Sequence, residues 1–266
     1  MNNLKYKNNR ENESDNLDKR KILKKLKYKH NIEIFDRIES TNKYLKSNIE
    51  KKEFGTIVIS NEQTGGYGKN GRKFISEKNK GIYMSIFVNL NCSIQESLKL
   101  TILTSVAVWS AIKSIYNVEV KLKWVNDIIF NRLKIGGILC ETQVNLNSKI
   151  IDGMVVGIGL NVKENTFYGN LDNIATSIEN YTDMIVSRND LISEIINFFD
   201  KYFCEKQEYM EIYKKNSCVI GKTITVHQNN TNYEAKALDI DENGALIIKK
   251  ENEIIKLQSS DITIRY

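Results

Sequence analysis

The chain contains no proline, so none of its turns is rigidified by a pyrrolidine ring. Histidine is nearly as scarce: His30 and His227 are the only two, which makes a zinc site or a Ser-His-Asp triad hard to build. The four cysteines, Cys92, Cys140, Cys204 and Cys218, are far apart and form no Cys-x-x-Cys pair. They are expected as buried thiols of a reducing, cytoplasmic compartment. No run of about 18 apolar residues is present, so no membrane span is expected. The Asn- and Lys-rich start lacks the apolar segment of a secretory signal.

What is present is 266 residues of ordinary globular composition, enough for one large domain and a small one. The formal charge of +6 resides wholly in residues 1–30, which hold ten Lys/Arg against four Asp/Glu; residues 31–266 are formally neutral. This predicts a neutral body preceded by a basic, polar, solvated arm over 1–30. Within it, "RKILKKLKYK" (20–29) reads as a short helix or a frayed tail. The acidic residues of the arm argue against a transit peptide. Thirty residues are too few for a helix-turn-helix domain, and the neutral body argues against a nucleic-acid partner.

The apolar patterning predicts strands over 32–39, 55–60, 81–90, 118–125 and 151–162, with a strand-turn-strand over "DIIFNRLKIGGILCETQV" (127–144). A period near 3.6 over 97–116 predicts a buried helix, and further helices are expected over 171–178, 189–205 and 207–215. From about residue 218 the pattern becomes short strands with an Asn243-Gly244 turn. The expected fold class is α+β: a mixed sheet backed by helices over 31–217, then a small all-β barrel over 218–266.

Five stretches carry candidate chemistry. In "GGYGKNGRKF" (65–74), Gly65, Gly66, Gly68 and Gly71 let backbone N–H groups approach a ligand, while Lys69, Arg72 and Lys73 supply positive charge. The loop is neither a Walker motif nor a GxGxxG fingerprint. "KWVNDIIF" (123–130) clusters Lys123, Asn126 and Asp127 at the end of an apolar strand. "LKIGGILCE" (133–141) sets Lys134 before Gly136 and Gly137, with Glu141 further along. The glycines of "GIGLNV" (157–162) leave room for a ligand that Asn161 would meet. "ESTN" (39–42) offers Ser40 or Thr41 as a helix N-cap. Each stretch also has a plain reading, as a mobile loop, a capped turn or a cap alone. Together they line a cleft with cations and N–H donors but no nucleophile, which suits direct transfer between bound groups. A carboxylate activated by a nucleotide needs that equipment.

In this order the motifs resemble the biotin–protein ligases: "ESTN", "QTGGYGKNGRKF", "KWVNDI", "KIGGIL-E", "GIGLNV", then the barrel. The resemblance covers about residues 34–266 and implies the sheet of the class II aminoacyl-tRNA synthetase/biotin ligase type, with an SH3-like C-terminal barrel. It implies a two-step reaction in which biotin and ATP, with magnesium, give biotinyl-5′-AMP. A lysine ε-amine of a biotin carboxyl carrier protein then takes the biotinyl group. Ser40, Thr41, Asn42 and Gln63 match positions that hold biotin. The run Gly66, Tyr67, Gly68, Lys69, Arg72, Phe74 matches the loop that folds over biotin and the adenylate phosphate. Lys134 matches the lysine that meets carboxylate and phosphate, and Asp127 one that orients or deprotonates the incoming lysine. Asn126, Gly136 and Gly137 fall in the same two motifs, and Asn161 matches the nucleotide pocket. The metal ligands are left open. The resemblance allows an edge-to-edge homodimer or a monomer.

The chain departs from the family pattern at four places. Tyr67 stands for the first arginine of G-R-G-R and Lys69 for the second, keeping the charge but losing the bidentate fork. Phe74 stands for tryptophan and Val125 for proline. Alternatives are a lipoate or octanoate ligase or transferase on the same scaffold, a non-catalytic relative, and a nucleic-acid binder using the basic arm. Biotin-dependent pyrophosphate release and deletion of 1–30 discriminate among them.

Overall fold

The structure is a computed structural model and describes residues 15–88, 94–144, 151–164, 174–228, 231–258 and 263–265. Seven strands form one mixed sheet in the order β1-β2-β3-β7-β6-β5-β4. They are β1 (Ile32–Phe35), β2 (Ile57–Ser60), β3 (Gly81–Val88), β4 (Lys121–Lys123), β5 (Asp127–Phe130), β6 (Leu133–Val144) and β7 (Ile151–Asn161). Only β1 and β2 are parallel; every other neighbouring pair is antiparallel. All eight residues of β3 are buried, as expected of a strand covered on both faces. Ile82, Met84, Ile86 and Val88 belong to the main core, and Phe87 to a second cluster with Leu45, Val58 and Val155. Helix α2 (Thr41–Ser47), which carries Leu45, covers that second face.

The main core is built by α3 (Ile94–Tyr116) and α4 (Arg188–Phe203). The span Glu96–Tyr116 is long and apolar enough to cross a membrane by length and composition, yet 72% of its apolar window is buried inside the protein. Its Thr101, Thr104 and Ser105 hydroxyls donate to carbonyls one turn back, so α3 brings no unsatisfied hydroxyl from these positions into the core. The helix expected over 171–178 is corrected: residues 174–177 are not helical and only a 3-10 turn at Ile178–Tyr181 forms. There Lys134 captures the preceding segment, its N–H donating to Ile174 O and its C=O accepting from Thr176 N. Residues 171–173 lie outside the described residues, as does Cys92. No disulfide joins Cys140, Cys204 or Cys218, but the expectation of buried thiols is corrected at Cys204, which is exposed just past the end of α4.

The expected solvated arm is the second correction. Residues 19–25 form α1 (Lys19–Lys25), capped by Asp18, whose carboxylate accepts from Arg20 N at 2.7 Å. Ile22 is fully buried against the core, which stabilises the docking by roughly 2 kcal/mol. Asp15 pairs with Arg188, a fully buried guanidinium on α4. Asn197 accepts from Lys27 N and donates to Lys25 O. The single apolar stripe of α1 sufficed for docking because α4 offers complementary polar groups on both sides of it. Residues 1–14 lie outside the described residues.

His30 closes this strap by pairing with Asp200 at 2.8 Å, on α4. Burial opposes the charged ring, but the hydrogen bond and charge of Asp200 outweigh it and raise the His30 pKa above its ordinary 6.5. The imidazolium is therefore favoured in the fold. Its stabilising contribution is full below about pH 6.5 and is lost as pH rises through the raised value. Melting temperature should fall over that interval, and His30→Gln should flatten the fall. An unchanged slope in the variant would assign it to other groups.

The C-terminal unit is a five-stranded antiparallel sheet in the order β11-β10-β9-β8-β12. Its strands are β8 (Thr223–Gln228), β9 (Thr231–Ile240), β10 (Leu246–Lys250), β11 (Glu253–Leu257) and β12 (Thr263–Arg265). Helix α5 (Met210–Lys215) leads into it, and the connecting backbone pairs with the outer edge of β4: Leu122 N donates to Asn216 O and Cys218 N to Leu122 O. The Asn243-Gly244 turn docks on the large domain. Gly244 has φ +85 and packs against Leu98 and Ile102 of α3, and its carbonyl accepts from Trp124 Nε1 at 3.0 Å.

Candidate active site

The site is assembled at the N-terminus of α2. Ser40 caps that helix, its hydroxyl accepting from Lys43 N. Thr41 donates from both its backbone N and its Oγ1 to Gln63 Oε1, at 2.9 and 3.1 Å. Gln63 Nε2 in turn donates to Ser76 Oγ at 3.0 Å. Ser85 Oγ, on β3, bridges Thr41 Oγ1 and Asn42 Oδ1 at 2.7 and 2.5 Å. Asn42 Nδ2 reaches Glu141 Oε2 on β6 at 2.8 Å. Ser40, Thr41 and Asn42 are buried, so these bonds replace water that the groups would otherwise need.

Residues 65–74 are a small hairpin. Gly68 N donates to Arg72 O, Phe74 N donates to Gly66 O, and Tyr67 bridges Lys73. Asn70 and Gly71 turn its tip with φ 58 and 69, values that suit these two residue types. Gly66 has no space for a side chain: a Cβ there would lie 2.5 Å from Ser76 Oγ and 2.7 Å from Phe74 O. The Phe74 ring rests over Gly159, where a Cβ would come within 2.9 Å of it.

Lys134 projects from the start of β6, and its Nζ lies 2.5 Å from Asp127 Oδ1 at the start of β5. Gly137 leaves room for that side chain, since a Cβ there would stand 3.1 Å from Lys134 Nζ. Asn126 donates from Nδ2 to Ile138 O and accepts Ile138 N at its own carbonyl, both at 2.9 Å. Its amide thereby fixes the turn that aims Asp127. The Trp124–Val125 peptide just before it is cis.

These elements enclose a cavity of about 150 Å³. Of the residues singled out in the sequence, Ser40, Thr41, Asn42, Gln63, Tyr67, Gly68, Lys69, Arg72, Phe74, Asn126, Asp127, Lys134 and Gly137 line it. Lys73 and Lys123 line it too, whereas Gly65, Gly66, Gly71, Gly136, Glu141 and Asn161 do not. Gly66 is consumed by packing inside the hairpin, and Gly136 is buried under Leu160. Asn161 donates from Nδ2 to Thr176 O at 3.1 Å, tying the segment beside Lys134 to the end of β7.

Lining residues not singled out by the sequence include Met84, Ile138, Leu139 and Ile158, which form an apolar wall. Gly157 and Gly159 line the cavity, in keeping with the room expected of the glycines of 157–162; nothing in the sequence marked Met84 or the supporting Ser85. Lys69, Arg72, Lys73, Lys123 and Lys134 face one carboxylate, Asp127, so the cavity suits an anion with an apolar body.

Residues 34–161 match the biotin/lipoate A/B protein ligase family, and residues 219–265 match the biotin protein ligase C-terminal domain. The bifunctional ligase/repressor BirA of Bacillus spizizenii is 30% identical over 220 residues, covering 79% of this chain and 66% of that protein. The chain thus spans about two thirds of the length of that curated relative. The biotin–[acetyl-CoA-carboxylase] ligase of Mycobacterium tuberculosis is 24% identical over 217 residues, 78% of each chain. Among solved structures, the biotin protein ligase of Aquifex aeolicus in complex with biotin and ATP superposes with a TM-score of 0.72 at 24% identity, covering 88% of this chain and 98% of that one. At that identity the likeness shows the fold, a mixed sheet with helices followed by an antiparallel C-terminal sheet.

Proposed function

From the premise that this chain belongs to the biotin/lipoate A/B protein ligase family, we propose that it is an ATP-dependent biotin–protein ligase. The observation that carries this reading is the Lys134–Asp127 pair set inside a cation-lined cavity between α2 and the 65–74 hairpin. The C-terminal match, described for biotin protein ligases, favours biotin over lipoate.

In the first step a biotin carboxylate oxygen attacks the α-phosphorus of ATP, the bond to the bridging oxygen breaks, and pyrophosphate leaves. Lys134 neutralises the charge shared by carboxylate and phosphate, with Lys69 and Arg72 on the hairpin side. Asp127 orients Lys134 through their ion pair. In the second step the ε-amine of a lysine on a biotin carboxyl carrier protein attacks the acyl carbon, its proton is lost and AMP leaves; Asp127 is the carboxylate placed to receive that proton. Ser40, Thr41, Asn42 and Gln63 hold the biotin end. No serine or cysteine nucleophile has a role.

Magnesium is part of the family's chemistry, but the described residues do not form a site for it. No group of three His, Cys, Asp or Glu side chains is found among them, and the one lining carboxylate is committed to Lys134. Magnesium therefore enters only as the companion of the ATP phosphates. The proposal places the enzyme in the cytoplasm. An edge-paired homodimer would use β1, because the β4 edge is already paired with residues 216–218.

The test is pyrophosphate release by the purified chain with ATP and magnesium, with biotin, with lipoate and with neither, followed by streptavidin detection on an added carrier domain. Biotin-dependent release and labelling are expected. Release with lipoate alone would move the reading to the sister activity. No release with either acid, from folded protein, would make the chain a non-catalytic relative.

A further inference from the structure

We propose that Tyr67 and Glu141 form a latch that holds the 65–74 hairpin closed over the cavity before any ligand arrives. What the cavity receives rests on the ligase reading; the latch itself does not. The Tyr67 hydroxyl donates to Glu141 Oε2 at 2.7 Å, joining the hairpin to β6 across 74 residues of sequence. Its acceptor is immobilised by two residues of α2. Lys46, on α2, reaches Glu141 Oε1 at 2.7 Å, and Asn42, at the start of α2, reaches Oε2 at 2.8 Å. Asn42 is locked in turn by Ser85 of β3.

Backbone ties of the hairpin to the body lie at its base, where Gly65 N donates to Glu39 O and Thr64 N to Ile38 O. Tyr67 fastens the arm that overhangs the cavity, and Lys43 Nζ stands 5.8 Å from its ring centroid. Tyr67 makes this tie as a neutral donor, so it fastens the hairpin to Glu141 without adding a second cation beside Lys46.

Both groups keep the required protonation around neutrality. Burial raises the Glu141 carboxyl, but hydrogen bonds from Lys46, Asn42 and Tyr67 outweigh it and hold the group below its ordinary value. Burial and the Glu141 carboxylate push the Tyr67 phenol well above its ordinary range. The latch thus keeps its donor and its acceptor at neutral pH.

Its consequence is preorganisation. A loop that must be ordered by its ligand charges that entropy to binding; a latched hairpin has lost the freedom beforehand. Tyr67→Phe removes one oxygen and keeps the ring. A hydrogen bond to a charged group is worth about ten-fold in an equilibrium, so the variant should open its hairpin about ten-fold more often.

Trypsin reports this without ligand, because Lys69, Arg72 and Lys73 all lie in the hairpin. With the apo protein, cleavage at 69–73 followed by mass spectrometry should be about ten-fold faster in Tyr67→Phe than in the parent. Glu141→Ala should show the same increase, and adding Tyr67→Phe to it should add little, the signature of a shared interaction. For turnover, the loss should fall mainly on KM for biotin rather than on kcat. Cleavage of Tyr67→Phe at the parent rate overturns the latch, as does full additivity of the two substitutions. If the parent binds no biotin while Tyr67→Phe still opens the hairpin, the latch stands and the ligase reading falls. If biotin is turned over and the hairpin is indifferent to Tyr67→Phe, the reverse holds.

Discussion

Lys134→Ala should reduce biotin-dependent pyrophosphate release by about 10³-fold, the effect of removing a preorganised charge from a developing anion. The size follows from placement. Two anions, a carboxylate and a phosphate, must be brought to bonding distance, and Lys134 is a lining cation of the body's own sheet held by an ion pair to the one lining acid. The variant should stay folded, because the pair is partly solvated, with side chains 33% and 24% exposed, and such pairs contribute little to stability. A circular dichroism melt alongside the assay separates the two effects. Lys134→Arg should recover only part of the rate: a broader guanidinium must fit where Gly137 leaves just enough space for the lysine. A folded Lys134→Ala protein that forms adenylate at the parent rate would remove Lys134 from the chemistry.

The second large effect concerns stability. Arg188 is fully buried on α4, and its guanidinium donates to Asp15, Asn61, Asn79 and the carbonyl of Gly81. Arg188→Ala should cost about 3–5 kcal/mol, the range for a broken buried pair whose partners stay inside. Deleting residues 1–30 removes Asp15 from the other side of the same pair, along with Ile22 and His30. It should destabilise the protein at least as much. Deleting residues 1–14 leaves each of these contacts in place and should change the urea midpoint little. A 1–30 deletion that unfolds at the parent midpoint would show that the strap is an ornament. These outcomes reverse the expectation from composition, under which the whole basic arm is dispensable. Only the charge count supported that view, and it is blind to what the arm packs against.

The elements legible in the sequence were those whose signal is local. The apolar run of β3, the period of α3 and the Asn243-Gly244 turn each read correctly because neighbouring residues determine them. The short strand β4 was over-read as 118–125, since its ends are set by the pairing of Leu122 with residues 216–218 rather than by its own alternation. The helix expected over 171–178 yielded to the backbone of Lys134, which claimed residues 174–176 for itself. At the site, lysines and glycines in short motifs were visible. Their division of labour was not. Gly66, Gly136 and Asn161 carry the same wording as their neighbours, yet serve packing and loop tethering.

By itself, the order of motifs along the chain pointed to the family and to a mixed sheet followed by a small β unit, since a glycine- and lysine-rich loop, a lysine before paired glycines and a terminal run of short strands are local patterns. Only the tertiary structure decided which groups meet: Asp15 with Arg188, Trp124 with the Gly244 carbonyl, Tyr67 with Glu141. These partners are separated by 173, 120 and 74 residues of sequence. Hydrogen bonds and ion pairs act over a few ångströms, so no property of either residue alone announces its partner until packing of the apolar core has brought the two together.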